Sequence, residues 1–223
     1  MKIRELFEDG DHDFWDNTRK IFSCAKANLE SLKSINIPKK IEGDFDCSGN
    51  KLTSLEGCPK EINGKFTCQG NAKLMTLNGM PQEGVKSINA SYIGISSFEG
   101  MPQKIEGSIY CVGCAKLESL DGCTQEGVTS VTLSSCNLMS LEGAPQKIDG
   151  HFLCNANKNL TSLKGMSQEG VYNFECKGCN LTSLEGAPKS IIGNLICFDN
   201  PIKSFKDIHK TINEIGGKAF IPD

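Results

Sequence analysis

Long apolar runs are missing from this 223-residue chain. The opening "MKIRELFEDGDHDFWDN" has no apolar stretch of seven. No later segment approaches the roughly 20 apolar residues that a membrane-spanning helix needs, so neither leader nor membrane anchor is expected. A charge excess is missing too: 24 Lys and Arg against 27 Asp and Glu leave a net charge of -3. Such a surface does not track a phosphate backbone, and it lacks the dense acidity of a DNA mimic, so nucleic acid is not an expected partner. Histidine is scarce. His12, His151 and His209 are spread along the chain, too far apart to build one acid–base site. No glycine loop precedes Lys-Ser/Thr at the spacing that cradles phosphate. The expectation is a protein that is not an enzyme and carries no cofactor or metal.

What the chain does have is cysteine, twelve of them, and 23 glycines. Without an export signal the thiols stay reduced in a cytoplasmic setting, where free cysteine behaves as a small buried apolar residue. Two pairs, "CVGC" at Cys111 to Cys114 and "CKGC" at Cys176 to Cys179, have the spacing of a zinc or dithiol site, since four thiolates close a tetrahedral shell. The rest of the sequence argues against that reading.

The phrase "NKLTSLEGCPKEINGKFTC" recurs along most of the chain. Its last position falls at Cys47, Cys68, Ala90, Cys111, Leu133, Cys154, Cys176 and Cys197, at alternating intervals of 21 and 22 residues. The extra residue of the longer units lies just before the leucine, as in "GNAKL" against "GNKL". Longer units also read "QEGV" at Gln82, Gln125 and Gln168, where shorter ones read "PKEING" or "PQKIEG". Phe66 and Cys68 share one face of a short strand because strand side chains alternate. Three residues after each strand comes Asn50, Asn71, Cys114, Cys136, Asn157, Cys179 or Asn200, with Ile93 the exception. Leucines at the positions of Leu52 and Leu55 return the chain to the interior, and Gly57 with Pro59 turns it outward.

This LxLxxN/C pattern resembles the short bacterial-type leucine-rich repeat, and more closely the "GxFxCxxNxLTSLEGxP" repeats of proteins encoded by tailed bacteriophages. The resemblance covers Phe22 to Cys197. It implies a solenoid of short β-strands with a parallel sheet on the concave face and a terminal cap at each end. The predicted division is an N-terminal cap over 1–21, the solenoid over 22–201 and a C-terminal cap over 202–223. On this register CxxC is what two adjacent inward columns spell when both hold cysteine. Cys111 and Cys176 stand three coils apart, about 14 Å at the usual strand spacing, so one ion does not join both pairs. Cys114 and Cys136 are neighbours in one column, near enough for a disulfide.

At the C-terminus, Phe205, Ile208, Ile212 and Ile215 are spaced for a short capping helix ending at Gly216 or Gly217. After it, "GKAFIP" repeats the strand register, with Ala219 and Ile221 inward and Phe220 outward. At the N-terminus, Phe22 to Cys24 reads as an irregular first strand; the alternative is a helix from Asp13. Phe14 and Trp15 would cover the open core end. The acidic string around Asp9, Asp11 and Asp13 departs from a calcium loop, with Phe14 in place of the glycine and Lys20 in place of the final glutamate.

Function, if it lies on the sheet, lies in the outward columns. One runs Asp46, Thr67, Asn89, Tyr110, Thr132, Leu153, Glu175, Ile196 and Phe220; the next runs Ser48, Gln69, Ser91, Val112, Ser134, Asn155, Lys177 and Phe198. Tyr110, Val112, Leu153, Ile196, Phe198 and Phe220, with His151 and Glu175 beside them, form the predicted contact surface, because clustered exposed apolar groups mark binding sites. Cross-strand stacking of the same residues is the plainer alternative. A carboxylate row, Glu56, Glu99, Asp121, Glu142 and Glu185, follows the leucines and is expected to be a solvated edge. The resemblance implies a protein partner in a bacterial host, modulated or inhibited by binding. A structural or assembly part of a virus particle is the other reading.

Overall fold

The computed structural model describes residues 15–16, 20–203 and 211–221. Its strands are short: β1 (Trp15–Asp16), β2 (Ile21–Ser23), β3 (Lys40–Ile41), β4 (Asp44–Asp46), β5 (Glu61–Thr67), β6 (Glu83–Asn89) and β7 (Ile109–Tyr110). They continue with β8 (Val131–Thr132), β9 (Phe152–Leu153), β10 (Phe174–Glu175), β11 (Ser190–Ile191), β12 (Leu195–Ile196), β13 (Glu214–Ile215) and β14 (Ala219–Phe220). One sheet runs β1-β2-β4-β5-β6-β7-β8-β9-β10-β12-β14, with β3 beside β5. Every pairing is parallel except β1 with β2. The chain is therefore a parallel β-solenoid of roughly nine coils with 21- or 22-residue spacing over most of its length.

The register follows from which side chains avoid water. Phe45, Phe66, Ile88, Ile109, Val131, Phe152, Phe174 and Leu195 are fully buried and stack strand over strand; Cys47, Cys68, Ala90, Cys111, Leu133, Cys154, Cys176 and Cys197 form the next buried column. A shift of one residue in any strand would turn both columns to solvent. Phe22, Phe45 and Phe66 continue the stacking face to face, with ring centroids 5.8 and 5.9 Å apart. The leucine pairs, from Leu29 and Leu32 to Leu181 and Leu184, fill the far side of the same core.

The alternation of coil types has a structural counterpart. The pairing of β5 with β6 shifts register around Gly64, so longer coils differ from shorter ones before the strand as well as at the leucine. Gly84, Gly127 and Gly170, the glycines of "QEGV", have φ of 70–73°. A Cβ at each would run into the carbonyl oxygen of Ile62, Ile105 or Ile148 in the preceding coil. Left-handed backbone and close approach together demand glycine there. Beside it, Gln82, Gln125 and Gln168 each donate from Nε2 to the carbonyls of their own coil and the next: Met80 and Gly100, Cys123 and Gly143, Met166 and Gly186.

The ends differ from expectation in two places. Phe22 does lie in the first strand of the parallel stack: Phe22 pairs with Phe45 and Ser23 with Asp46. Trp15 and Asp16 are extended and antiparallel to β2, not helical. At the other end, the helical spacing through Ile215 is overridden, because Glu214–Ile215 forms β13 beside Ser190–Ile191. The amides of Asn213 and Gly216 donate to Lys189 and Ile191 at 2.7 and 2.9 Å, and this ladder satisfies backbone groups that a helix would satisfy within itself. Thr211 is helical. Phe205, Ile208 and His209, like His12, Phe14, the Trp15 side chain and the acidic string at Asp9, Asp11 and Asp13, lie outside the described residues. The last strand keeps its predicted register, with Ala219 opposite Leu195 and Phe220 opposite Ile196, but Ala219 is exposed and not buried in the core. No helix among the described residues is long and apolar enough to cross a membrane.

Candidate functional site

Two features stand out from the repeating frame: the outward strand face and a knot of thiols behind it. The outward column is continuous in register from Asp46 through Thr67, Asn89, Tyr110, Thr132, Leu153, Glu175 and Ile196 to Phe220. Its side chains project from the sheet because their neighbours on either side point into the core. The amides after them extend the ladder: Cys111 donates to Thr132 O, Cys154 to Glu175 O and Cys197 to Phe220 O, at 2.8 to 3.0 Å.

Exposure along this face is uneven. Tyr110 is 40% exposed, Phe198 37% and Phe220 46%, while Val112, Leu153 and Ile196 are half-buried. Thr132 separates Tyr110 from Leu153, and Glu175 separates Leu153 from Ile196. Only at the C-terminal end do two apolar residues of this column, Ile196 and Phe220, adjoin without a polar residue between them, and Phe198 of the next column follows two residues after Ile196. Glu175 is held by Asn155, whose Nδ2 donates to its Oε2 at 2.9 Å. Lysines lie over two of the rings: Lys65 Nζ is 5.9 Å from the Tyr110 centroid and Lys177 Nζ 5.9 Å from that of Phe198. His151 meets Tyr172 edge to face at 5.7 Å.

Tyr92 and Tyr172 did not emerge from the columns, yet they are 55% and 49% exposed. Each ring lies across a glycine of the following coil: a Cβ on Gly113 would meet the Tyr92 ring, and one on Gly193 would come 3.0 Å from Tyr172 Cε1. The signal was a tyrosine with glycine at the matching position one coil later. Tyr92 donates its amide to Val112 O, so its ring borders the Tyr110–Val112 part of the face.

The carboxylate row is partly neutralised by lysines at the same turn position of adjacent coils. Lys33 pairs with Glu56, and Lys164 with Glu142 at 2.8 Å. Both pairs are exposed, so solvent and salt screen them.

Behind the face, the turn column shows why asparagine and cysteine interchange. Asn50, Asn71, Asn157 and Asn200 each donate from Nδ2 to two strand-end carbonyls, one in their own coil and one in the coil before. Each also accepts an amide through Oδ1, from Leu29, Leu52, Leu138 and Leu181 respectively. The thiols of Cys114, Cys136 and Cys179 reproduce the donation to the coil before, to Ala90 O, Cys111 O and Cys154 O at 3.1, 3.2 and 3.2 Å, and Cys136 and Cys179 make longer contacts of 3.6 and 3.8 Å to Ser134 O and Lys177 O of their own coils. Ile93 makes none.

Cys111, Cys114 and Cys136 are buried, and their sulfurs all lie within 4.8 Å of one another. The Cys111 thiol donates to Cys114 Sγ at 2.9 Å. Hydrogen bonds received from Cys111 and then Cys136 lower Cys114 below the ordinary thiol value, while the same Cys114 contact, with burial, pushes Cys111 well above it. Burial pushes Cys24 and Cys123 up to about 12 and raises Cys179 as well, whereas Cys176 is raised first by a hydrogen bond with Cys197 and then by burial. Register keeps Cys111 and Cys176 in separate coils, as predicted, but the third thiol beside Cys111 and Cys114 arrives from the next coil. No other cluster of three metal-ligating side chains occurs among the described residues.

Comparison with family models, curated proteins and solved structures finds no match to this chain.

Proposed function

We propose that the chain is a non-catalytic, leucine-rich-repeat-type interaction protein that binds a protein partner on its outward strand face. The observation that carries this reading is the cross-strand pair Ile196 and Phe220 at one end of a column in unbroken register, with Phe198 two residues along from Ile196 in the next column; two of the three are exposed aromatics. Contiguous apolar groups on a surface are far more informative than scattered ones. Aromatic anchors with neighbouring cations, as at Tyr110 with Lys65 and Phe198 with Lys177, are the residue types that dominate binding energy at interfaces. A stack in which each coil touches only its neighbours also presents these groups preorganised, which lowers the ordering cost of association.

The likeness of the repeats to those of tailed-bacteriophage proteins makes a bacterial host protein the partner to test first, with modulation or inhibition as the outcome of binding. The test is capture from a bacterial lysate, reconstitution of the recovered protein with the purified chain, and comparison with the variant Tyr110→Ala, Leu153→Glu, Ile196→Glu. The reading requires a folded variant with binding weakened at least tenfold. Undiminished binding by that variant removes the face from the interface, and recovery of the chain as a component of purified virus particles favours a structural role instead.

A further inference from the structure

The geometry points to a three-thiolate site for a cuprous ion formed by Cys111, Cys114 and Cys136. Cys111 is the second inward residue of its strand, Cys114 the turn residue of the same coil, and Cys136 the turn residue of the next. The parallel stacking of coils brings the last to the first two; nothing local in "CVGC" does so. The three sulfurs lie within 4.8 Å of one another. With metal–sulfur bonds of about 2.3 Å, the corners of a planar three-coordinate site stand about 4 Å apart. The three sulfurs are within reach of one such ion, and the Cys111–Cys114 edge, at 2.9 Å, has to open by roughly 1 Å.

Donor number and softness select the ion. Thiolates favour soft metals, cuprous copper and zinc among them, over magnesium or calcium. Structural zinc takes four ligands, and no fourth His, Cys, Asp or Glu joins this cluster among the described residues. Ala90 and Ile93, the residues before it in the same two columns, are buried and offer no donor atom in their side chains. Three sulfurs and a closed shell suit a cuprous ion. Binding exchanges protons for metal: each thiol that becomes a ligand releases its proton to solvent, and copper keeps its oxidation state. The thiol donations to Ala90 O, Cys111 O and Cys114 Sγ give way to bonds that tie two adjacent coils together. Cys176 and Cys179 provide the internal control. Their turn column continues with Asn157 before and Asn200 after, so no third turn thiol joins them.

The experiment adds cuprous ion, as its acetonitrile complex without oxygen, to the full reduced chain. Excess metal is then removed with a competing chelator. The expected result is one retained equivalent by native mass spectrometry, an ultraviolet thiolate-to-copper absorption band, and three sulfur neighbours by X-ray absorption. Cys136→Ser lowers affinity at least tenfold, and Cys179→Ser leaves it unchanged. No retained equivalent, two equivalents, equal retention by Cys136→Ser, or loss with Cys179→Ser overturns the site. So does a tryptic peptide 105–116 two mass units light under the loading conditions, the mark of a Cys111–Cys114 disulfide. Where Cys136→Ser disturbs folding, the sulfur count on the unmodified chain decides alone: two or four sulfurs refute the assignment.

Discussion

Cys111–Cys114 and Cys176–Cys179 have the same spacing, the same glycine before the second cysteine and the same two positions in their coils, but different surroundings. The first pair meets Cys136 from the following coil; the second lies between two asparagine turns, Asn157 and Asn200. Cys114 is lowered by hydrogen bonds from Cys111 and Cys136, whereas burial raises Cys179. In a solenoid, the neighbours that decide a motif's chemistry stand one coil away, 21 or 22 residues along the chain. The motif alone is silent about them.

The largest test of this comparison removes the coil on which it depends. Leu138 is fully buried two residues after Cys136, and Leu138→Asp places an unpaired charge there. Loss of about 3–5 kcal/mol, seen as collapse of the urea midpoint, is expected. Next is Asn157→Ala, which deletes three hydrogen bonds between the Cys136 and Cys179 turns. Stranded buried carbonyls and an amide cost about 2–4 kcal/mol, against about 1 kcal/mol for Cys179→Ala, which loses chiefly one weak thiol donation. Equal losses for the two variants would mean that the amide's extra bonds add nothing.

Alkaline titration gives an intermediate effect. The thiols of Cys24 and Cys123 are raised from 9.0 to about 12 in the fold, so the unfolded chain loses those protons first. Stability is complete below pH 9 and falls as pH rises toward 12, by up to about 1.4 kcal/mol per pH unit for each such thiol. A urea midpoint unchanged between pH 8 and 10.5 contradicts the burial of these groups. Smallest in stability is the face variant Tyr110→Ala, Leu153→Glu, Ile196→Glu, expected to unfold within about 1 kcal/mol of the parent because these side chains are exposed or half-buried.

Several features were legible because they repeat. Phe45 to Leu195 and Cys47 to Cys197 became core columns by alternation alone, and the outward column held its register through to Phe220. The turn column was legible as polar or thiol, including its exception at Ile93. Features that depend on one coil meeting another were not. Ile215 fits a helical spacing, yet pairs with Ile191. Tyr92 and Tyr172 sit at positions where most coils have small or polar residues, and only the glycine of the next coil gives their rings a place to lie.

The amino-acid sequence by itself determined the winding: its period, the faces of each strand and the residues that avoid water, since burial and side-chain alternation are local rules applied identically in every coil. Tertiary structure alone decided which thiols meet, which carbonyl a turn side chain reaches and where the outward apolar groups adjoin. Those depend on how one coil is set over the next, and that stacking is the sum of many weak contacts between residues distant in the chain.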